Sequence, residues 1–150
     1  MKTLRRMDLE EMARMMQVIP QAELNSIIGA DCETDCFWRC VAYLQTGDSS
    51  AAMAAIYAES YYGSASFFGS GMSVVDGMNY IQANLPGAKI LYVDPSKIAW
   101  YILNNHQSIG HHAVIYQGMS ANGEHKIYDP QNNVTLYLCP PAMQNSYYLW

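Results

Sequence analysis

The chain has no run of basic residues, no stripe in which basic and aromatic residues interleave, and no internal repeat or low-complexity tract. Eight basic residues stand against thirteen acidic ones, for a net charge of −5. The positive field that tracks phosphate backbones is therefore missing, and no nucleic-acid partner is expected. Long apolar runs are missing too. The uncharged stretch around Asn104 to Asn122 is polar and broken by glycine, which argues against a membrane span. No apolar segment follows a basic N-terminus as it does in a secretory signal. Cysteine is sparse. Four residues permit two disulfides, but Cys32, Cys36 and Cys40 stand at i, i+4 and i+8, the spacing of a helix face and not of a stapled framework. Three-residue gaps along one helix are also an uncommon zinc-ligand spacing, so neither a metal nor a cofactor is expected.

What remains is 150 residues, enough for one domain with a real core and an appendage. Asp8 to Glu11 resembles a capping box, with Met7 and Met12 placed as a hydrophobic staple. Leu9, Met12, Met16 and Ile19 repeat at helical spacing until Pro20, a methionine-rich stripe that reads as a packing surface. Ser49 to Ser60 predicts an alanine-rich helix ending near Gly63. Gly63 to Gly71 combines three glycines with Phe67 and Phe68, either a lip over a pocket or a surface loop that tucks both rings into the core. Ser73, with Asp76 three residues on, caps a helix through about Ala83. Lys89 to Val93 is a strand, and Asp94-Pro95 opens one helix through about Asn104.

The final third alternates at period two. His112–Gln117 and Glu124–Asp129 flank a turn containing Asn122-Gly123, a strong hairpin signal, and Val134–Leu138 is a further strand. Helices first and antiparallel strands later is the pattern of an α+β domain.

Asp31 to Leu44 organises the rest. Thr34 or Asp35 is placed to N-cap a helix that Gly47 stops, which puts Cys36 in the first turn. The positive end of the macrodipole and the unpaired N–H groups there favour thiolate. A hairpin loop at Met119–Asn122 would pair Gly118 with Gly123 and set His112 directly opposite Asp129, with Cβ atoms roughly 5 Å apart. The carboxylate could then fix the imidazole tautomer. Strand alternation sends His111 to the opposite face. Cys40 reads as a small buried residue, Cys32 and Cys139 as either paired or free, and His106 and His125 as surface residues.

Three segments carry a resemblance. Asp35-Cys36-Phe-Trp-Arg-Cys40-Val-Ala resembles the nucleophile helix Asp-Cys-Gly-x-x-Cys-Leu-Ala of papain-like cysteine peptidases that process bacteriocin precursors. His112-Ala-Val-Ile resembles that family's histidine strand, and Ile127-Tyr-Asp129-Pro130 its Ile-x-Asp-Pro segment. The resemblance, covering roughly residues 31 to 138, implies a papain-like α+β fold with helices carrying the cysteine packed on an antiparallel sheet. It implies Cys36 as nucleophile, His112 as general base and later acid, and Asp129 as the orienting group. Two departures stand out. Phe37 replaces a glycine, and the family's oxyanion glutamine has no counterpart nearer than Gln17 and Gln21.

Glu23-Leu-Asn-Ser-Ile27-Ile-Gly29-Ala30 resembles the end of a double-glycine-type leader. That resemblance implies residues 1–30 as a leader or prosegment ahead of a domain at 31–150. It also implies a peptidase-transporter that cuts after Ala30, and an extracytoplasmic destination by a non-Sec route. Without it, Gly29 is an ordinary helix C-cap and a cytoplasmic location follows equally well. The expected function is peptide-bond hydrolysis on a peptide or protein substrate. The alternative is an inactive papain-like binding module or an exported bacteriocin-like cargo.

Overall fold

The structure is a computed structural model that describes residues 35–63, 71–106 and 110–150. The leader-like segment, Cys32, Phe67 and Phe68 lie outside these residues.

Capping chemistry sets the helices where the local signals place them. Helix α1 (Cys36–Thr46) follows Asp35 and ends at Gly47, whose φ of 76° returns its N–H to the Tyr43 carbonyl. A side chain would strain there, so glycine is the natural stop. Helix α2 (Ala51–Tyr62) begins at Ser50, whose hydroxyl accepts from the Met53 N–H. In α3 (Val74–Asn84) Ser73 accepts from the Asp76 N–H and donates its hydroxyl back to the Asp76 carboxylate, closing a reciprocal cap.

Strand β1 (Ile90–Val93) is buried throughout. The single helix expected from Asp94 to Asn104 is broken in two. Pro95–Lys97 form a 3₁₀ turn, Ile98 is extended, and α4 (Ala99–Leu103) starts after it. Ile98 and Tyr101 are both buried in one cluster. A β-branched residue gives up little by leaving the helix, and that burial offsets the lost backbone bonds.

Strands β2 (His112–Met119), β3 (His125–Asp129), β4 (Val134–Leu138) and β5 (Tyr147–Tyr148) complete a five-stranded antiparallel sheet in the order β4-β3-β2-β1-β5. The architecture is α+β. Strand β5, two residues long, has no local signature; it exists because Tyr148 pairs with Leu91 and the Leu149 N–H reaches the Ile90 carbonyl.

Alternation along β2 divides the core. Ala113 and Ile115 join the cluster of α1, α2 and α3, with Phe37, Trp38, Val41 and Tyr92. Val114 joins the other, with Ile98, Tyr101, Ile127, Leu138 and Met143. Each face of the sheet is thus covered.

The hairpin register differs from the expected one. Tyr116 pairs with Ile127 and Met119 with His125, three steps on β2 against two on β3, so a bulge sits between them. Gly118 has a φ of 98° within it, a conformation glycine adopts without penalty. Ile115 pairs with Tyr128, which brings Asp129 level with Val114 and not with His112. A slip of two keeps both side chains on the same face.

Candidate active site

Cys36 opens α1. The first turn of a helix has N–H groups without intrahelical partners, and the Asp35 carboxylate makes no cap bond to them. It accepts instead from Arg39 Nε at 2.8 Å. Arg39 Nη1 donates onward to the Ser49 carbonyl at 3.2 Å, and the Ser49 hydroxyl donates to the Pro130 carbonyl at 3.0 Å. The residue before Cys36 and the residue after Asp129 are therefore joined through Arg39 and Ser49.

His112 opens β2, its side chain 12% exposed, and donates Nε2–H to Asp129 Oδ2 at 2.9 Å. Cys36 is close enough to act on the charge of the ring; with Nε2 committed to Asp129, Nδ1 is the ring nitrogen left over. Burial alone would lower the His112 pKa. The Asp129 carboxylate, and after it the Cys36 side chain, overcome it and push the pKa up to about 10. Burial would likewise raise the Asp129 pKa, but the His112 cation, Asn132 and Tyr101 hold it at about 2. At neutral pH the two form an ion pair.

The structure thus brings together all three residues singled out by motif, Cys36, His112 and Asp129. They meet at the end of β2, where Cys36 belongs to one core cluster and Tyr101, which touches both His112 and Asp129, to the other. The direct cross-strand pairing expected of His112 and Asp129 is corrected to a diagonal one, which side chains of this length can span.

Two further residues belong to the site. Tyr101 donates its hydroxyl to Asp129 Oδ2 at 2.8 Å, and Asn132 donates Nδ2 to the same oxygen at 2.7 Å. Nothing in the spacing of α4 singles out Tyr101. Asn132 had a signal: Asp129 opens a turn and accepts from the N–H groups of Gln131 and Asn132, the pattern of an Asx turn.

The other histidines fall away from the site. His111 bonds the Asn145 carbonyl through Nε2 at 2.7 Å and packs on Tyr147. His106 stacks on Trp100, and His125 meets the Tyr116 hydroxyl. Phe37 is wholly buried and meets Trp38, Tyr80 and Tyr92 edge to face, so its bulk fills the core. Cys40 is buried, and burial pushes its thiol pKa up. Cys139 is exposed and free. Gln17 and Gln21 lie outside the described residues.

Among the described residues, no three His, Cys, Asp or Glu side chains are grouped to hold a metal ion, and no helix is long and apolar enough to cross a membrane. A cavity of about 360 Å³ lies between the end of α3 and Leu149-Trp150. It has no titratable side chain in its lining. It borders the Ile90 end of β1, whereas His112 pairs with Val93 at the other end, so the reactive groups are elsewhere. No family model, curated protein or solved structure matches the chain.

Proposed function

We propose that the protein is a cysteine peptidase or amidase of papain-like type, with Cys36 as nucleophile, His112 as general base and acid, and Asp129 as the group that orients the imidazole. The observation that supports the reading is an imidazole hydrogen-bonded to a buried carboxylate, with the thiol of Cys36, the first residue of α1, close enough to act on the charge of the ring. Three residues from distant stretches meet in the order such chemistry uses.

In the reaction His112 already holds the proton it shares with Cys36, being a cation at neutral pH, and the sulfur attacks the carbonyl carbon of the scissile amide. The positive end of the α1 macrodipole favours the developing oxyanion. His112 then protonates the leaving nitrogen, the C–N bond breaks, and a thioester remains. Water, losing its proton to the now neutral His112, attacks the thioester, the C–S bond breaks, and the acid leaves with Cys36 restored beside a protonated His112. Asp129 stays ionised throughout and stabilises the imidazolium.

The substrate is a peptide or protein. Residues 1–30 act as an export leader or prosegment, removed after Ala30 by a separate peptidase-transporter. The domain then works outside the cytoplasm.

The test is alkylation by iodoacetamide at pH 6 with mass-spectrometric readout, alongside hydrolysis of a peptide library. The expected result is fast modification at Cys36, which is 2% exposed at the start of α1, slow modification at exposed Cys139, none at Cys40, which has no exposed surface, and peptide cleavage that Cys36→Ala abolishes. Uniform slow labelling of Cys36 and Cys139 without cleavage would overturn the hydrolase and leave an inactive binding module.

A further inference from the structure

Three side-chain donors converge on one oxygen. Asn132 Nδ2, the Tyr101 hydroxyl and His112 Nε2 lie 2.7, 2.8 and 2.9 Å from Asp129 Oδ2. The other oxygen, Oδ1, accepts from the N–H groups of Gln131 and Asn132 at 3.0 and 3.2 Å. A carboxylate offers about four lone-pair sites, so five donors saturate it.

Tyr101 is buried, and its ring meets the His112 ring edge to face at 5.4 Å. Its hydroxyl and its ring thus address both members of the ion pair. The ionisable groups facing His112 are Cys36 from α1, Tyr101 from α4 and Asp129 from β3, with Cys40 one turn behind Cys36 and sensing the same carboxylate.

We propose that Tyr101 and Asn132 are positioning residues of the thiol site: by sharing the oxygen that anchors His112, they hold the ring in place and weaken its grip on the proton it must surrender. Each added donor draws negative charge from Oδ2 and leaves less to stabilise the imidazolium. An Asp129 bonded to His112 alone would hold the cation more firmly. The ring would then be slower to protonate a leaving amine. The geometry stands by itself, and only this chemical consequence rests on the hydrolase reading.

The inference separates two reactions of the same sulfur. Alkylation by iodoacetamide expels iodide and takes no proton from His112, whereas amide cleavage needs that proton in the step that breaks the C–N bond. Tyr101→Phe and Asn132→Ala each remove one donor to Oδ2, and Asn132 lies in a half-buried turn where truncation is mild.

The experiment follows the His112 ring by NMR across pH, assigned with His112→Gln, and compares alkylation at pH 6 with peptide hydrolysis. In both variants the His112 titration moves to higher pH. Hydrolysis falls about 10-fold, a part of what general acid–base catalysis supplies, while Cys36 alkylation holds within about twofold. If Tyr101→Phe does not fold, Asn132→Ala carries the same three readouts. A titration that stays or moves down, or alkylation and hydrolysis falling together, overturns the proposal. A titration that moves up in a protein without hydrolytic activity upholds the sharing of Oδ2 and removes the hydrolase instead.

Discussion

His112 and Asp129 share a 2.9 Å hydrogen bond although the sheet register sets them two residues apart on neighbouring strands. The offset leaves both side chains on one face. Tyr101 and Asn132 reach the same carboxylate oxygen.

This ion pair makes stability depend on pH at both ends. The Asp129 pKa drops from 3.8 to about 2 on folding, so its contribution is present above pH 4 and is lost as pH falls toward 2. The His112 pKa rises from 6.5 to about 10, so that contribution is full below pH 6.5 and fades as pH climbs to 10. Both shifts describe one interaction and are not added. Urea midpoints of the wild type should fall from pH 6.5 to 10, and His112→Gln should flatten that decline. Equal slopes in the two proteins would mean the pair contributes nothing to folding.

Replacing Asp129 by alanine strands a buried histidine cation together with the Tyr101 hydroxyl and Asn132. Removing one partner of a buried ion pair typically costs about 3–5 kcal/mol, and chemical denaturation should report a loss of that order. Asp129→Asn keeps the shape and some acceptor capacity, so it should cost less. Its His112 titration should drop, because the neutral amide no longer favours the cation.

Gly77 lies in α3 where a Cβ would stand 2.7 Å from Leu149 Cδ2 and 3.3 Å from Phe37 Cε2. Leu149 and Phe37 are both fully buried, so neither can swing into solvent. Gly77→Ala recovers about 1 kcal/mol of helix propensity against about 1–3 kcal/mol of overpacking, for an expected net loss of about 1 kcal/mol. Pairing it with Leu149→Ala should give a double mutant less destabilised than the sum of the singles. Strict additivity would show that the two positions do not meet.

Arg39→Met removes the partner of the buried Asp35 carboxylate and the donor to the Ser49 carbonyl. We expect a loss of about 1–3 kcal/mol, the range for leaving a buried polar group unpaired. The adjoining α1 tip should loosen too, so hydrogen exchange in the first turn should quicken more than in α3. Uniform exchange across both helices would count against a local clamp.

Much of this protein is local and therefore legible in its sequence. Ser50, Ser73, Gly47 and Gly63 cap or stop helices through their own backbone neighbours, and Val134–Leu138 alternates as strands do. The motif residues Cys36, His112 and Asp129 could be selected for the same reason: a thiol after a capping position, a histidine opening an apolar strand and an aspartate closing the next each have a short-range signature. Tertiary structure decided what depends on distant partners. The bulge at Gly118 set the hairpin register, burial of Ile98 with Tyr101 split the expected helix, and pairing with β1 created β5. Tyr101 became a donor to Asp129 only because the sheet brought positions 28 residues apart within 2.8 Å, a proximity that no periodicity along the chain encodes.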